Sequence, residues 1–373
     1  MRVKIQQASL RPYKRILVTS DIHGHGHLLK RLLKEAAFSR EDALMIVGDM
    51  IEKAPGSLDT LRYVMGLAEQ ENVFPLMGNV DLWRLSLLEN DSPENQADVI
   101  SFSRTTEKWW GSSIVGEMMH EMGLDMERDG EMPGLFKMLR KHFAKEMDFI
   151  RNLPTIVETE AFLFVHGGLP HERLDELKGT DPYGLLKNDD FLNKGLSFEK
   201  WVIVGHWPVA LYNPDFMQHG PVIEKDRHII SIDGGCGVRG DGQLNLVITD
   251  WQGAEFSHLS AADKPEIRAF SAQAPSAAAH NIPYHDPVVE LVEKGEKWAT
   301  VLHRGYQMQI PLHFLQGDEK EWRCYNLTDY RLPVQPGDVL QLIFEHDGIA
   351  YCKKNDVCGW YEGRYQKIKE KEQ

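Results

Sequence analysis

Short apolar runs alternate with helical patterns over the N-terminal part of the chain. The runs 15–20, 43–47 and 73–77 have the length and the apolar, often β-branched character of buried strands. Between them, leucines recur at helical spacing over 28–37, and 57–67 is helical again. Strands that alternate with helices and end on polar residues predict an open α/β sheet whose strand ends lie together at one edge.

A long helical pattern then interrupts the strands. Residues 82–152 are helical in pattern and rich in Met, which predicts a helical insertion. Runs rich in β-branched and aromatic residues follow at 161–165, 201–204, 228–232 and 244–249. We therefore predict an α/β fold class for a domain over residues 1–260, with two packed mixed β-sheets flanked by helices.

The C-terminal part of the chain has a different composition. Residues 261–284 are rich in Ala, Ser and Pro and predict a linker. Residues 285–373 contain short alternating runs separated by Gly, Asp and Pro, which predicts a small SH3-like β-barrel. Its Trp360, Tyr361 and Tyr365 allow two interpretations: they grip an extended peptide or protein ligand, or they close the core of the module.

Charge and cysteine usage narrow the classes of partner. The chain has 42 basic and 56 acidic residues and a net charge of −14, so its average field repels a phosphate backbone and nucleic acid is not an expected partner. The four cysteines lack the CxxC spacing of a structural zinc site or a redox pair, which agrees with a protein whose cysteines are reduced. Because no segment approaches 18 uninterrupted apolar residues, we expect a cytoplasmic protein without membrane association.

Five polar islands each follow a predicted strand, and together they contain six potential metal ligands. The combination of carboxylate, imidazole and amide oxygen suits divalent ions such as manganese, iron or zinc. A single Asp or His at a strand end is more often structural, but five islands in this strand context favour a metal site. The islands are Asp21-Ile22-His23, Gly48-Asp49, Gly78-Asn79, His166-Gly167-Gly168 and Gly205-His206.

The order of these islands resembles the calcineurin-like metallophosphoesterase superfamily. The resemblance covers about residues 14–250 and is closest to phosphoprotein phosphatases and bacterial diadenosine tetraphosphatases, through DIHGH, GDMIEKAPGSL, FIRNLP, FVHGGLP, VGHWP and IDGGCG. It implies two divalent metal ions, with Mn²⁺ as the first choice and Fe or Zn as alternatives. By the same resemblance, Asp21 and His23 bind one ion, Asp49 bridges both, and Asn79, His166 and His206 bind the second.

The motifs also depart from the family pattern. Glu52 and Lys53 stand where phosphatases have an acid followed by an arginine, so the charge is kept but a bidentate contact to phosphate is lost. Val80 replaces the histidine that would protonate the leaving alcohol, and valine cannot transfer a proton. Pro208 replaces a last histidine that some members use as a ligand.

The resemblance places Asp49, Glu52, Lys53 and Asp81 in the catalytic site, with Lys53 and His25 as contacts to the substrate. His25 or His27 is a candidate for supplying the missing proton, although a histidine at the start of a helix is more often a surface or capping residue. Arg84 and Arg104 are weaker candidates for a contact to phosphate.

Metal-dependent hydrolysis of a phosphoester is therefore the expected activity. A serine/threonine phosphoprotein phosphatase is the first expectation. Because Val80 removes the proton donor, a phosphodiesterase or a dinucleotide polyphosphate hydrolase is the alternative. A second alternative is a phosphate-binding scaffold with degraded catalysis. The expected partner is a phosphorylated substrate, either a protein or a small molecule.

Overall fold

The computed structural model describes residues 1–368 and divides the chain into two compact units. The first contains residues 1–208 and 221–262, and the second contains residues 209–220 together with the described residues from 263 onward.

The helices are α1 Gly26–Glu35, α2 Ser57–Leu67, α3 Asn79–Glu89, α4 Pro93–Trp110, α5 Ile114–Glu121, α6 Met126–Asp129, α7 Leu135–His142, α8 Ala144–Asn152, α9 Leu174–Leu177 and α10 Tyr183–Leu186. Short 3-10 helices lie at Phe191–Lys194, Val209–Leu211 and Leu312–Phe314.

The strands are β1 Ile5–Gln7, β2 Arg15–Thr19, β3 Asp42–Ile46, β4 Val73–Pro75, β5 Ile156–Glu158, β6 Phe162–Val165, β7 Trp201–Val204, β8 Met217–Gln218, β9 Val222–Glu224, β10 Ile229–Ser231, β11 Leu244–Thr249, β12 Ser257–Ala261, β13 Glu266–Ala269, β14 Asn281–Ile282, β15 Val288–Lys294, β16 Trp298–His303, β17 Tyr306–Pro311, β18 Gln316–Asp318, β19 Glu321–Arg323, β20 Leu327–Thr328, β21 Val339–His346, β22 Ile349–Lys354, β23 Val357–Tyr361 and β24 Tyr365–Lys367.

Two mixed sheets form the centre of the first unit. One has the order β12-β11-β2-β3-β4, in which β2, β3 and β4 are parallel. The other has the order β1-β5-β6-β7-β10-β9, in which β6, β7 and β10 are parallel. This confirms the predicted mixed α/β architecture.

Alternating side chains along β2 explain how the sheets are packed. Ile16 and Val18 lie in the apolar cluster that also contains Phe164 and Ile203 of the other sheet. Leu17 points the opposite way and lies in the cluster formed with the helices. Because successive side chains of a strand leave opposite faces, one strand supplies both layers of the core.

The insertion predicted over 82–152 is helical in the structure, where it is built from α3 to α8. Many of its apolar side chains are buried in the cluster that also covers the outer face of β2 and β3, among them Met118, Met119, Phe136 and Phe143. Most of the Met residues of this segment and these two phenylalanines therefore form core, whereas Trp83, Phe102 and Trp109 are exposed.

The second unit is made of β-sheets. Its sheets have the orders β24-β13-β21-β22-β23-β8, β17-β16-β15-β19-β18 and β14-β20. The predicted SH3-like barrel is not confirmed, since no closed barrel is found among residues 1–368. The stretch predicted as a linker is not free of regular structure, because it contains β13 and β14.

The aromatic residues at the C-terminal end are mainly part of the core of the second unit. Trp360 is 6% exposed and Tyr361 is fully buried. The Trp360 indole donates a hydrogen bond to the Thr328 carbonyl, and the Tyr361 hydroxyl donates one to the Ser271 carbonyl. Of the two interpretations, core closure therefore agrees with the packing of these two residues, and neither is available to grip a peptide.

Candidate metal centre

The predicted ligands lie at the carboxyl ends of parallel strands. Asp21 follows β2, Asp49 follows β3, and Asn79 is the first residue of α3 after β4. His166 follows β6 and His206 follows β7 in the other sheet. Parallel strands present their carboxyl ends at one edge, so residues far apart in sequence meet there.

Asp49 lies between two histidines. Its Oδ2 is 3.7 Å from Nε2 of His23, and its Oδ1 is 3.4 Å from Nε2 of His166. The ligand atoms of Asp21, His23 and Asp49 all lie within 4.8 Å of one another. On the other side, Nε2 of His166 is 3.0 Å from Oδ1 of Asn79. The two oxygens of Asp49 therefore face two neighbouring groups of ligands, which is the position of a bridging carboxylate.

Backbone carbonyls fix the ring orientation of the first two histidines. Nδ1 of His23 is 3.1 Å from the Ile51 carbonyl oxygen, and Nδ1 of His166 is 2.8 Å from the Val47 carbonyl oxygen. A carbonyl only accepts, so Nδ1 carries the proton in each ring. Nε2 then faces Asp49 as the nitrogen available to a metal, in the arrangement usual for metal-binding histidines.

His206 is held by two carboxylates. Its backbone N–H donates to Oδ2 of Asp21 at 3.0 Å, and its Nε2 is 2.7 Å from Oδ1 of Asp189. Because the Asp189 oxygen accepts, Nε2 carries the proton and Nδ1 is the nitrogen with a free lone pair. Burial and the nearby His166 lower the pKa of His206 to about 4, which keeps the ring neutral.

The backbone is strained at these positions. Asp21, His23, Asp49 and His206 have φ values of 54°, 46°, 54° and 68°, in the left-handed region that non-glycine residues rarely adopt. Each such residue costs on the order of 1–3 kcal/mol, and the surrounding structure must hold it in place. Strain concentrated at four predicted ligands indicates a functional site.

Two glycines let the strand ends approach closely. A Cβ on Gly78 would lie 2.1 Å from both the backbone nitrogen and Oδ1 of Asp49. A Cβ on Gly48 would lie 2.6 Å from Cα of Gly78 and 2.8 Å from Nδ1 of His166. The Asp49 and Asn79 turns are thus in backbone contact, and a side chain at either glycine would separate them.

Asp81 fastens the same two turns. This fully buried carboxylate accepts hydrogen bonds from the backbone N–H groups of Gly78 at 3.0 Å, Asp49 at 2.9 Å and Met50 at 3.1 Å. Burial and the charge of Asp49 raise the pKa of Asp81 to about 7. Its hydrogen bonds all come from backbone N–H groups, so in this structure it holds the turns that carry Asp49 and Asn79 together.

The buried carboxylates at the site favour the binding of cations. Burial and the charge of Asp49 raise the pKa of Asp21, and burial and the charge of Asp21 raise the pKa of Asp233. Although burial lowers it, the charges of Asp49 and Asp21 raise the pKa of His166 to about 10, so these carboxylates favour a positive charge at this position. Burial and Lys53 instead lower the pKa of His23 to about 3. A metal ion that replaces the His166 proton would balance the same carboxylates.

The pattern of this site and its strand context match one family model. Residues 14–230, more than half of the chain, match the model described as calcineurin-like phosphoesterase. The chain belongs to the calcineurin-like phosphoesterase family. The family is one of hydrolases that act on phosphoester bonds and use a dinuclear site for divalent metals.

Curated relatives of this phosphoesterase include symmetrical bis(5'-nucleosyl)-tetraphosphatases. One from Serratia proteamaculans is 38% identical over 82 residues, which cover 22% of this chain and 28% of the relative. One from Salmonella arizonae is 25% identical over 170 residues, which cover 43% of this chain and 57% of the relative. The chain thus matches less than two thirds of either relative.

Solved structures also resemble the phosphoesterase. A candidate diadenosine tetraphosphatase has a TM-score of 0.44 and 17% identity, covering 70% of this chain and 99% of that one. A serine/threonine phosphatase from Saccharomyces cerevisiae has a TM-score of 0.41 and 13% identity, covering 70% of this chain and 85% of that one.

Among the residues described, no helix has the length and apolar character needed to cross a membrane.

The donor set of the phosphoesterase fits two divalent ions. Asp21, His23 and one oxygen of Asp49 form one group of oxygen and nitrogen donors. The other Asp49 oxygen forms a second group with Asn79 and His166. His206 packs against His166, with ring centroids 5.4 Å apart. Carboxylate, imidazole and amide oxygen are the ligand types that manganese, iron and zinc accept.

Lys53 and His25, the predicted substrate contacts, both border this centre. The Lys53 ammonium donates to Nε2 of His23 at 3.1 Å, so its charge reaches the site. Nδ1 of His25 donates to the His23 carbonyl at 2.8 Å. This bond fixes the His25 ring beside the first metal motif.

Glu52 does not face the metals as a free carboxylate. It is 3% exposed, and its Oε1 lies 2.6 Å from Nε of Arg84, which is 1% exposed. The same oxygen accepts a hydrogen bond from the Ile114 backbone at 3.2 Å. Arg84 is therefore held in a buried ion pair and offers no exposed contact to phosphate, whereas Arg104 forms a surface pair with Glu127.

Sequence reasoning missed two carboxylates at the site. Asp189 lies in a loop and orients His206, and no motif marks it. Asp233 is 1% exposed, accepts a hydrogen bond from Gly235 at 2.7 Å and interacts electrostatically with Asp21. It follows β10, so its place at a strand end, within the IDGGCG motif, was a usable signal.

Proposed function

We propose that this phosphoesterase hydrolyses phosphoanhydride bonds of dinucleoside polyphosphates, using two divalent metal ions, with Mn²⁺ as the preferred metal. The observation that carries the proposal is the combination of a complete set of ligands around Asp49 with Val80 in place of a proton donor. Such a centre favours substrates whose leaving group departs without a proton.

Metal ions held at these ligands would orient the phosphate, lower the pKa of water and neutralise negative charge. The chain's own residues set the geometry. The two oxygens of Asp49 face the two groups of ligands. Asp81 and Gly78 hold the turn that contains Asp49 in contact with the turn that contains Asn79. Lys53 places a positive charge at the edge of the site, where non-bridging phosphate oxygens can accept from it.

The leaving group decides between substrate classes. Cleavage of a phosphoanhydride releases a phosphate whose pKa is about 6, whereas an alkyl alcohol leaves as an anion with a pKa on the order of 15. General-acid help is typically worth about 10²–10⁴-fold in rate. Val80 is 7% exposed and has no ionisable proton to donate. Hydrolysis of an alkyl phosphomonoester is slowed by the lack of a general acid, whereas hydrolysis of an anhydride does not need one.

The curated relatives agree with this choice of substrate. They are named symmetrical bis(5'-nucleosyl)-tetraphosphatases, and the dinucleotide alternative is the one that their names share. The expectation of a phosphoprotein substrate stays an untested prediction.

The test is a hydrolysis panel with the full chain and Mn²⁺. The substrates are diadenosine tetraphosphate, a phosphoserine peptide and bis(p-nitrophenyl) phosphate, and the Asp49→Asn variant is the inactive control. We expect the tetraphosphate to be cleaved with a kcat/KM at least about 100-fold above that of the peptide. Preferential cleavage of the peptide would overturn the proposal, and preferential cleavage of the diester would favour a phosphodiesterase.

A further inference from the structure

An aromatic pair lies on the surface of the helical insertion, and one of its members belongs to α3, the helix that begins at the predicted ligand Asn79. Trp83 is 39% exposed and Phe102 is 36% exposed, although both are large apolar side chains. Their ring centroids are 5.1 Å apart and their planes meet at 87°, so together they form a corner with two aromatic walls. A planar ring placed in such a corner can stack on one wall and meet the edge of the other.

Helix α3 carries both Trp83 and a predicted metal ligand. Trp83 lies four residues after the predicted metal ligand Asn79, and both belong to α3. At 1.5 Å of rise and 100° of rotation per residue, this spacing places Trp83 about 6 Å along the axis and about 40° around it. Residues at i and i+4 share one face of a helix. Trp83 therefore lies about one turn along α3 from Asn79, on the same face of the helix.

A buried cation holds the corner in place. The Arg84 guanidinium lies 4.5 Å from the centre of the Trp83 ring and 5.0 Å from that of Phe102. Arg84 is in turn paired with Glu52, whose loop follows Asp49. The ion pair therefore connects the aromatic corner to the loop of the bridging ligand. Ordered exposed rings lose little side-chain freedom when a ligand stacks on them.

We propose that Trp83 and Phe102 form a nucleobase subsite, which stacks one base of the substrate while its phosphate chain extends to the metal centre. This inference rests on the proposed function, and it specifies which part of a dinucleoside polyphosphate the chain recognises. Aromatic side chains bind bases through their π faces. A polyphosphate next to the stacked base would meet the positive charge of Lys53.

The test separates base recognition from cleavage by comparing two anhydrides, with the full chain and Mn²⁺ in every assay. Diadenosine tetraphosphate has bases, whereas inorganic tripolyphosphate has none. Trp83→Leu should raise the KM for diadenosine tetraphosphate about tenfold to a hundredfold, as expected for the loss of one stacked base, and leave that for tripolyphosphate within twofold. Trp83→Phe should restore most of the affinity, and Phe102→Leu should act in the same direction as Trp83→Leu.

Trp251→Leu is the matched control. Trp251 also has a cation–π contact, with Arg11 at 5.2 Å, but it follows β11 at the end where Thr249 pairs with Ile16, away from Asp21. It should change neither KM. Equal effects of Trp83→Leu on both substrates, or no effect on the dinucleotide, would overturn the subsite. Unfolding midpoints of every variant identify a general loss of structure.

Calorimetric titration with adenosine 5'-monophosphate distinguishes failure of the subsite from failure of the proposed function. Binding that Trp83→Leu weakens, in a protein that cleaves no dinucleotide, would support the subsite and reject the proposed function. Cleavage of the dinucleotide with a KM independent of Trp83 would support the function and reject the subsite. Absence of both Trp83-dependent binding and cleavage would reject both.

Discussion

Replacing Asp81 tests whether this carboxylate acts by fastening the ligand turns. Its Oδ2 accepts from the backbone N–H groups of Asp49 and Gly78, and its Oδ1 accepts from that of Met50. Asparagine keeps one acceptor oxygen and turns an NH₂ group toward the remaining N–H. At least one buried donor is then unpaired, which costs about 1–3 kcal/mol.

Alanine at the same position removes all three acceptor contacts. The cost should then be about 3 kcal/mol or more, since each of the buried N–H groups loses its partner. A domain of this size loses about 2–4 °C of its unfolding midpoint per kcal/mol. We expect Asp81→Asn to lower the midpoint by about 2–12 °C and Asp81→Ala to lower it further.

Binding of Mn²⁺ should weaken in parallel. Residues that orient metal ligands typically contribute about 10–100-fold to metal affinity. The assay is thermal unfolding followed by circular dichroism, together with Mn²⁺ titration of each variant. Asp91→Asn is the control, because Asp91 pairs with Arg140 at the surface and its side chain is 58% exposed. The reasoning is refuted if Asp81→Asn has the same unfolding midpoint and the same Mn²⁺ affinity as the unmodified protein.

Three further predictions follow from the packing. Gly78→Ala should lower Mn²⁺ affinity at least about tenfold in titration, because its Cβ would lie 2.1 Å from Oδ1 of Asp49; unchanged affinity would show that the turns tolerate separation. Val80→His should raise kcat/KM about tenfold for alkyl phosphomonoesters and leave that for nitrophenyl esters unchanged. The gain should be about tenfold rather than a hundredfold because Arg84 lies one turn away on the same helix face, and its positive charge disfavours the protonated form of the new histidine. Burial and the charge of His303 lower the pKa of His280, so the neutral ring contributes stability above the unfolded-state pKa of 6.5, and this contribution is lost as the pH falls below that value. The unfolding midpoint should therefore fall between pH 7 and pH 5. An equal fall in His280→Gln would contradict this assignment.

The candidate metal ligands could be recognised from sequence because their places at strand ends follow local rules, whereas their assignment to two ions came from the family resemblance. Each predicted ligand follows an apolar run or begins the next helix, and parallel strands bring their carboxyl ends to one edge. The placement of Asp49 between His23 and His166 follows from that topology. Neither the register of the strands nor the tautomers of the rings were needed to identify the site.

Contacts between distant segments could not be found in this way. Arg84 of α3 and the Ile114 backbone of α5 both contact Glu52 in the loop after Asp49, and no spacing in the sequence encodes these contacts. Asp189 reaches His206 from an irregular loop. In the second unit, alternating runs indicated strands correctly, but the strand order depends on pairings such as β13 with β21 and β24, which periodicity does not specify.

The most direct test of the dinuclear centre is calorimetric titration of the full chain with Mn²⁺. The account predicts two bound ions per chain, and Asp49→Asn should abolish or severely weaken binding at both positions, since one carboxylate faces both groups of ligands. Asp42→Asn is the control, because Asp42 is 2% exposed but lies at the other end of β3, beside Arg15; it should still bind two ions. Two ions bound with unchanged affinity by Asp49→Asn, or none bound by the unmodified protein, would contradict the account.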